Sequence, residues 1–290
     1  MNNSQTNIIF FGTSDFAGVI FNKLISEKYR LTVVTRPDQP VGRKKVLTPP
    51  VVKVLAEKNR ISVLQPKKLD NAFNKQLSEL NPDLFITAEY GKIIPQITLD
   101  IPAHGALNIH PSLLPAYRGP SPIQYALLNG ETKTAVTIIK MDHKMDHGEI
   151  VVQKEFDINP NDTYKTLSAK LANSSASMLV KLIPEYLDNK VTLKPQDHTK
   201  ATFTKIIDKK NGLVEKAMSA NQIYNMYRAY TPWPGIHLAD GTKLIDVEIK
   251  NNLLKINRLQ IPGKKDMDAQ NYINGYLKNN QTELFISSLF

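Results

Sequence analysis

The sequence contains no cysteine. That excludes disulfides, thiolate catalysis and cysteine-ligated zinc, and it fits a reducing compartment. Long apolar runs are also missing. The run Ile8 to Phe11 has no basic segment before it, and nowhere does an apolar stretch approach the roughly 18 residues that a membrane-spanning helix needs. Neither a signal peptide nor a membrane span is expected, and the cytoplasm is the expected compartment. The turn at Gly12 lacks a G-x-G-x-x-G spacing, which argues against a dinucleotide dehydrogenase. Acidic residues are outnumbered: 27 Asp and Glu face 37 Lys and Arg, for a net charge of +10. The excess is spread along the chain, with 26 basic against 19 acidic residues up to 206 and 11 against 8 beyond. It favours a polyanionic partner such as nucleic acid, although a lysine-rich surface is the plainer reading.

What is present fits an α/β protein of two domains, the natural number for 290 residues. Ile8–Phe11, Leu31–Val34, Ser62–Leu64, Leu84–Thr87 and Ala106–His110 read as short buried strands. Phe16–Glu27, Val51–Lys58 and Asn71–Leu80 between them read as helices. Such alternation predicts a parallel sheet with helices on both faces. Ala135–Met141 and Glu149–Phe156 read as two more strands joined by a polar loop. Over 163–186, Tyr164, Leu167, Leu171, Met178, Leu182 and Tyr186 form one helical stripe of core residues, with Asp162 as the expected N-cap. The domain division expected is 1–189, a polar extended linker at 190–206, and a smaller β-rich part at 207–290. That part holds a helix at Ala220–Ala229 and strands at Lys243–Ile249 and Leu253–Ile261.

The chemistry concentrates in ALNIHPSLLPAYRGPSPIQ, residues 106–124. A buried strand ends at Asn108-Ile109-His110, and prolines then force the chain out of regular structure. Strand side chains repeat every two residues, so Asn108 and His110 share a face. The carboxyl end of a parallel strand is where open α/β sheets place their ligand crevices; the plainer reading is two capped polar groups at a strand end. Asp146, in the loop Met141-Asp142-His143-Lys144-Met145-Asp146-His147-Gly148, could set a carboxylate against His110 and orient its ring.

The strings FFGTSDFA (10–17), RPDQPVGRKK (36–45), AEYGKIIP (88–95), NIHPSLLPAYRGPSPIQ (108–124) and MDHKMDHGEI (141–150) occur in that order. They resemble the successive motifs of the 10-formyltetrahydrofolate-dependent formyltransferases. NIHPSLLP followed by that acidic loop is the specific part. The resemblance implies a Rossmann-like, mostly parallel sheet of the formyltransferase fold. It implies a catalytic trio of Asn108, His110 and Asp146. Asn108 and a protonated His110 would donate hydrogen bonds to the oxyanion formed when an amine attacks the formyl carbon. Asp146 would help relay the proton. No metal is implied. The folate co-substrate, 10-formyltetrahydrofolate, would lie along Glu89, Tyr90, Gly91 and Ile93, then Ser112, Leu113, Leu114 and Pro115, and Met141 and Asp142. The chain departs from the family pattern at Ser14 (usually Pro), Lys44 (usually Gly), Glu89 and His147 (usually Thr).

The acceptor favoured by the resemblance is methionyl-initiator tRNA, formylated for translation initiation. The basic, proline-bounded loop at 36–53, with Arg36, Arg43, Lys44 and Lys45, suits phosphate contact. Ala229-Tyr230-Thr231-Pro232-Trp233-Pro234 and Gln260-Ile261-Pro262-Gly263-Lys264-Lys265-Asp266-Met267 resemble the start and close of the family's C-terminal tRNA-binding barrel, with Lys264 and Lys265 as tRNA contacts. Only 28 residues, 235–262, separate Pro234 from Gly263, and they hold two strand-like runs. An OB-type barrel has five strands, so a truncated OB-like β-barrel is expected. Trp233 reads as core rather than as a base-stacking platform. The partners expected are tRNA and folate, with no membrane, and the protein is expected to be a monomer. The alternative is an amino-sugar-nucleotide N-formyltransferase, which keeps the trio and binds a pyrophosphate. A non-catalytic tRNA-binding module would have no need of the trio.

Overall fold

The protein is described here from a computed structural model, which covers residues 5–42 and 44–276. The chain divides into two compact units. The first comprises residues up to 122, 134–156 and 168–204; the second comprises 123–133, 157–167 and the chain from 205 onward.

The first unit follows the alternation of the sequence. β1 (Asn7–Gly12), α1 (Asp15–Ser26) and β2 (Arg30–Val34) are followed by a short hairpin of β3 (Gln39–Val41) and β4 (Val46–Thr48). Then come α2 (Val51–Lys58), β5 (Ser62–Leu64), α3 (Asn71–Glu79), β6 (Leu84–Ala88), α4 (Gln96–Leu99) and β7 (Ala106–His110). After α5 (Pro122–Leu128) come β8 (Lys133–Lys140), β9 (Ile150–Asp157) and the long α6 (Tyr164–Leu187). Seven strands form one sheet in the order β5-β2-β1-β6-β7-β8-β9. The pairs from β5 to β7 are parallel, and β8 joins β7 antiparallel. β1 and β6 are buried at every position, as strands covered on both faces must be. Ile9, Phe11, Phe85, Tyr90 and Ile94 lead one core cluster, against which Met141 packs.

In α6, Leu167, Leu171, Leu182 and Tyr186 are buried as the stripe predicts, together with Leu179 and Ile183. Its cap differs from expectation. The Thr163 hydroxyl accepts from Thr166 N at 3.4 Å and so takes the N-cap role. Asp162 accepts instead from Asn159 N (2.9 Å) and from the Thr166 hydroxyl (2.9 Å), which closes the preceding turn. The basic loop also has regular structure at its core, because Val41 and Val46, Pro40 and Leu47, and Gln39 and Thr48 pair as a hairpin. The segment 190–206 is irregular apart from one 3₁₀ turn at His198–Lys200, and it is anchored. Lys194 exchanges two backbone hydrogen bonds with Ile150, and Thr204 N donates to Arg118 O at 2.7 Å.

In the second unit, Ser219 caps α7 (Ala220–Tyr230) in a reciprocal capping box with Gln222. β10 (Ile236–His237), β11 (Lys243–Lys250), β12 (Leu253–Gln260) and β13 (Met267–Asp268) form a four-stranded antiparallel meander, and α8 (Ala269–Tyr276) follows. α7 packs on β10, β11 and β12, and α8 packs on β12 and β13. Leu244, Val247, Leu254, Ile256 and Leu259 give this sheet its buried face. The two strands read from the sequence are β11 and β12; the two-residue strands flanking them have no periodicity to read. Trp233, expected in the core, is 54% exposed. A ring next to Pro232 and Pro234 in a turn has no strand or helix to hold it inward.

Candidate active site

The sheet order reverses at β1, with β2 on one side and β6 on the other, and the crevice of such a sheet opens at the carboxyl ends of its strands. Asn108 and His110 stand at that end of β7. The loop between β8 and β9 returns to the same place. Met141 N donates to Ala106 O at 2.8 Å, and Lys140 N donates to Glu149 O at 2.9 Å, so both loop ends are pinned. Gly148 is needed there: a Cβ on it would lie 1.8 Å from Lys140 O.

The loop delivers Asp146 to the pair. Its Oδ1 accepts from Asn108 Nδ2 at 3.1 Å and lies 3.6 Å from His110 Nδ1. Its Oδ2 accepts from Gly119 N at 2.7 Å. Two donors thus fix the carboxylate plane. His110 is 4% exposed, and its Nε2 lies 2.9 Å from Tyr117 O. A carbonyl only accepts, so Nε2 carries a proton and Nδ1 is the exchangeable position, facing Asp146. Asp146 (φ +50°), Tyr117 (φ +62°) and Glu89 (φ +43°) all have left-handed backbone. Such strain in non-glycine residues gathers at functional sites.

Several supporting residues carry no local signal in the sequence. The Gln196 amide donates to Asp146 O (3.0 Å) and Gly148 O (2.7 Å). Buried Arg118 donates to Gln196 Oε1 through Nη2 (2.6 Å) and Nε (3.2 Å), and its Nη2 lies 2.9 Å from His198 Nδ1. The His198 ring stacks on His147, with centroids 3.9 Å apart and planes at 8°. His147 Nδ1 is 2.6 Å from Asp142 Oδ2. Burial raises the Asp142 pKa, but the bonds from His147 and Lys144 N outweigh it and hold the carboxyl below its ordinary range. The unusual His147 therefore braces the loop. Arg118 falls within the quoted YRGP string; Gln196 and His198 fall in the polar segment read as a linker.

The residues expected at the folate divide into two groups. Gly91 adopts φ +77°, Ile93 is 82% exposed and Leu113 is 38% exposed, so these can meet a ligand. Asp142 and Pro115 keep partial exposure. The Tyr90 side chain is core, set edge-on to Phe11 at 5.3 Å. Its carbonyl accepts from Thr13 Oγ1 at 3.0 Å. Ser112 is fully buried and donates to Ala116 O at 2.7 Å. Leu114 is buried, and its carbonyl accepts from Gln153 at 3.0 Å. Glu89 accepts from the Ser14 hydroxyl, so these two departures from the family pattern are partners.

Arg36, Lys44, Lys45, Lys264 and Lys265 are exposed but separately placed. Arg36 lies against Gly91, where a Cβ would meet its guanidinium carbon at 3.5 Å. Lys44 and Lys45 form the turn of the β3–β4 hairpin. Arg43 lies outside the described residues. Lys264 and Lys265 belong to the loop between β12 and β13 in the second unit. A cavity of about 560 Å³ opens between α1, α2 and α6 and is lined by none of the trio. Among the described residues, no group of His, Asp and Glu has the arrangement to hold a metal ion. No helix among them is long and apolar enough to cross a membrane.

An amide, an imidazole and a carboxylate converge here at the carboxyl ends of a parallel sheet, and the sequence supplies no thiol. Such a site can polarise an acyl oxygen and move a proton for a nucleophile that the substrate brings. The comparisons with known proteins agree with this class. The family described as formyl transferase matches residues 6–183. The chain is 41% identical to a methionyl-tRNA formyltransferase of Caldicellulosiruptor saccharolyticus, across 93% of this chain and 97% of that protein. It is 37% identical to the enzyme of that name from Listeria monocytogenes serotype 4a, across 95% and 97%. The chain belongs to the methionyl-tRNA formyltransferase family. Its fold is also that of an N-formyltransferase from Helicobacter canadensis solved with folinic acid and dTDP-3-aminofucose. That likeness has a TM-score of 0.66 at 20% identity and covers 87% of this chain and 94% of the other.

Proposed function

We propose that the protein transfers the formyl group of 10-formyltetrahydrofolate to the α-amine of methionyl-initiator tRNA, in the cytoplasm, for translation initiation. The observation that carries this reading is the likeness to relatives named for that activity, over 93% and 95% of this chain and 97% of theirs. Asn108 is the donor to the oxygen that gains charge as the amine adds to the formyl carbon, through its second amide hydrogen. His110 donates through Nδ1 when protonated. One such donor is worth roughly 3–4 kcal/mol of barrier. Asp146 holds both groups in register and passes a proton from the amine toward the leaving nitrogen.

In this reading the folate lies along Glu89, Tyr90, Gly91 and Ile93, the 112–115 turn, and Met141 and Asp142. Recognition there falls mainly to backbone groups and to the exposed Ile93 and Leu113. The left-handed Gly91 and those two exposed apolar side chains support a fit to a flat ring system. Arg36, Arg43, Lys44 and Lys45, together with Lys264 and Lys265, would contact tRNA phosphates. The functional division would be a catalytic domain over 1–189, a linker over 190–206 and a shortened OB-like tRNA-binding domain over 207–290, in a monomer.

The test is a formyl-transfer assay in which 10-formyltetrahydrofolate is offered with methionyl-initiator tRNA or with dTDP- and UDP-linked amino sugars. Formylmethionyl-tRNA is the expected product. Transfer to a sugar alone would replace the acceptor and leave the trio in place.

A further inference from the structure

Glu89 stands at the carboxyl end of β6, two residues beyond the point where Thr87 pairs with Asn108 of β7. β6 lies between β1, which leads to Ser14, and β7, which ends at His110. The carboxyl thus bonds the N-cap residue of α1, at the end of the strand next to the one that ends at His110, whose charge acts on it. Its geometry is fixed. The Ser14 oxygen accepts from Ala17 N at 3.3 Å, and its one proton is given to Glu89 Oε2. The residue keeps some exposure. Burial nevertheless pushes the carboxyl pKa above its ordinary value, Asp15 adds to that, and Ser14 and His110 act the other way. Among the described residues its carboxyl has a hydroxyl partner and no ion pair. A desolvated carboxyl with no cation of its own, within the electrostatic reach of a catalytic imidazole, has the chemistry to receive a cation from the substrate.

The reaction supplies one. An α-amino group has an ordinary pKa of about 7.7–8.0, so near neutrality the acceptor arrives largely as an ammonium. It must shed two protons to become an amide. One goes to the leaving nitrogen through the trio. A relay through Asp146 carries one proton at a time, and its oxygens already accept from Asn108 and Gly119, so the other proton calls for a second acceptor. We propose that Glu89 is the group that docks the acceptor ammonium and takes its first proton, presenting the neutral amine to the formyl carbon. An N–H bond breaks, a carboxyl O–H forms, and the freed lone pair makes the N–C bond. Glu89 returns its proton to solvent when the product leaves. This inference rests on the amine-acceptor reading above.

The test compares wild type, Glu89→Gln and Ser14→Ala in formylation of methionyl-tRNA across about pH 6 to 9, with thermal unfolding as the control for folding. Glu89→Gln should lower kcat/KM by at least about tenfold below the amine pKa, and the deficit should close above it, where the free amine predominates. Ser14→Ala should shift the acidic limb to higher pH, because the lost hydrogen bond favoured the carboxylate. A Glu89→Gln profile parallel to wild type, or a Ser14→Ala limb that stays in place, overturns the proposal. A wild-type enzyme that forms no formylmethionyl-tRNA at any pH overturns the acceptor reading as well, so the two failures are distinguishable.

Discussion

Gly148→Ala gives the sharpest test of how the site is built, because the substitution adds one methyl group and touches no reacting group. The new Cβ would lie 1.8 Å from Lys140 O and 2.9 Å from Lys140 C, where real contacts begin above 3.0 Å. Both opposing atoms are backbone, and Lys140 is fixed at the end of β8. The loop must therefore yield by about 1.2 Å. Asp146 lies two residues upstream, held by contacts of 2.7 and 3.1 Å and facing His110 at 3.6 Å. A displacement of that size takes the Asn108 bond beyond hydrogen-bond reach. Misplacement by about 1 Å is worth roughly a hundredfold in rate, so turnover should fall by about that factor. Overpacking costs about 1–3 kcal/mol, which lowers the melting midpoint by roughly 2–12 °C at this domain size. Steady-state formylation of methionyl-tRNA gives the first quantity, and circular dichroism through the melt gives the second. A folded Gly148→Ala protein with turnover within about twofold of wild type would refute the coupling between loop position and chemistry.

His110→Ala and Asp146→Asn should each reduce turnover by at least about a hundredfold with the fold intact; near-normal activity in either folded variant removes the trio from the mechanism. Gln196→Ala strips hydrogen bonds from the Asp146 and Gly148 carbonyls and takes Oε1 from the buried Arg118 guanidinium. It should destabilise the protein by about 1–3 kcal/mol in urea unfolding, and an unchanged midpoint would show that water replaces the amide without loss. Replacing Lys44 and Lys45 together by Ala should reduce the dependence of log K on log salt for tRNA binding by roughly one to two. An unaltered slope would move the phosphate contacts elsewhere.

Much of the frame is local information. The continuous apolar runs Ile8–Phe11 and Leu84–Thr87 mark strands buried on both faces, the helical period of the α6 stripe marks an inward face, and the structure follows them. The strand period of two sets Asn108 and His110 on one side of β7. Tertiary structure decided which distant groups meet there. Asp146 reaches Asn108 across 38 positions, and Gln196 reaches the Asp146 carbonyl across 50. Thr163 displaced Asp162 as the α6 cap because its hydroxyl, and not the neighbouring carboxylate, could reach the free amide. Tyr90 went to the core although its segment borders the site, because the turn at Gly91 leaves its ring facing Phe11. Ser14 and Glu89 stand 75 positions apart; Ser14 has a local role as the N-cap of α1, whereas only the tertiary structure brings Glu89 to it. Side-chain periodicity fixes which face a residue takes within its own element. Only the packing of strand ends and loops against one another fixes what that face meets.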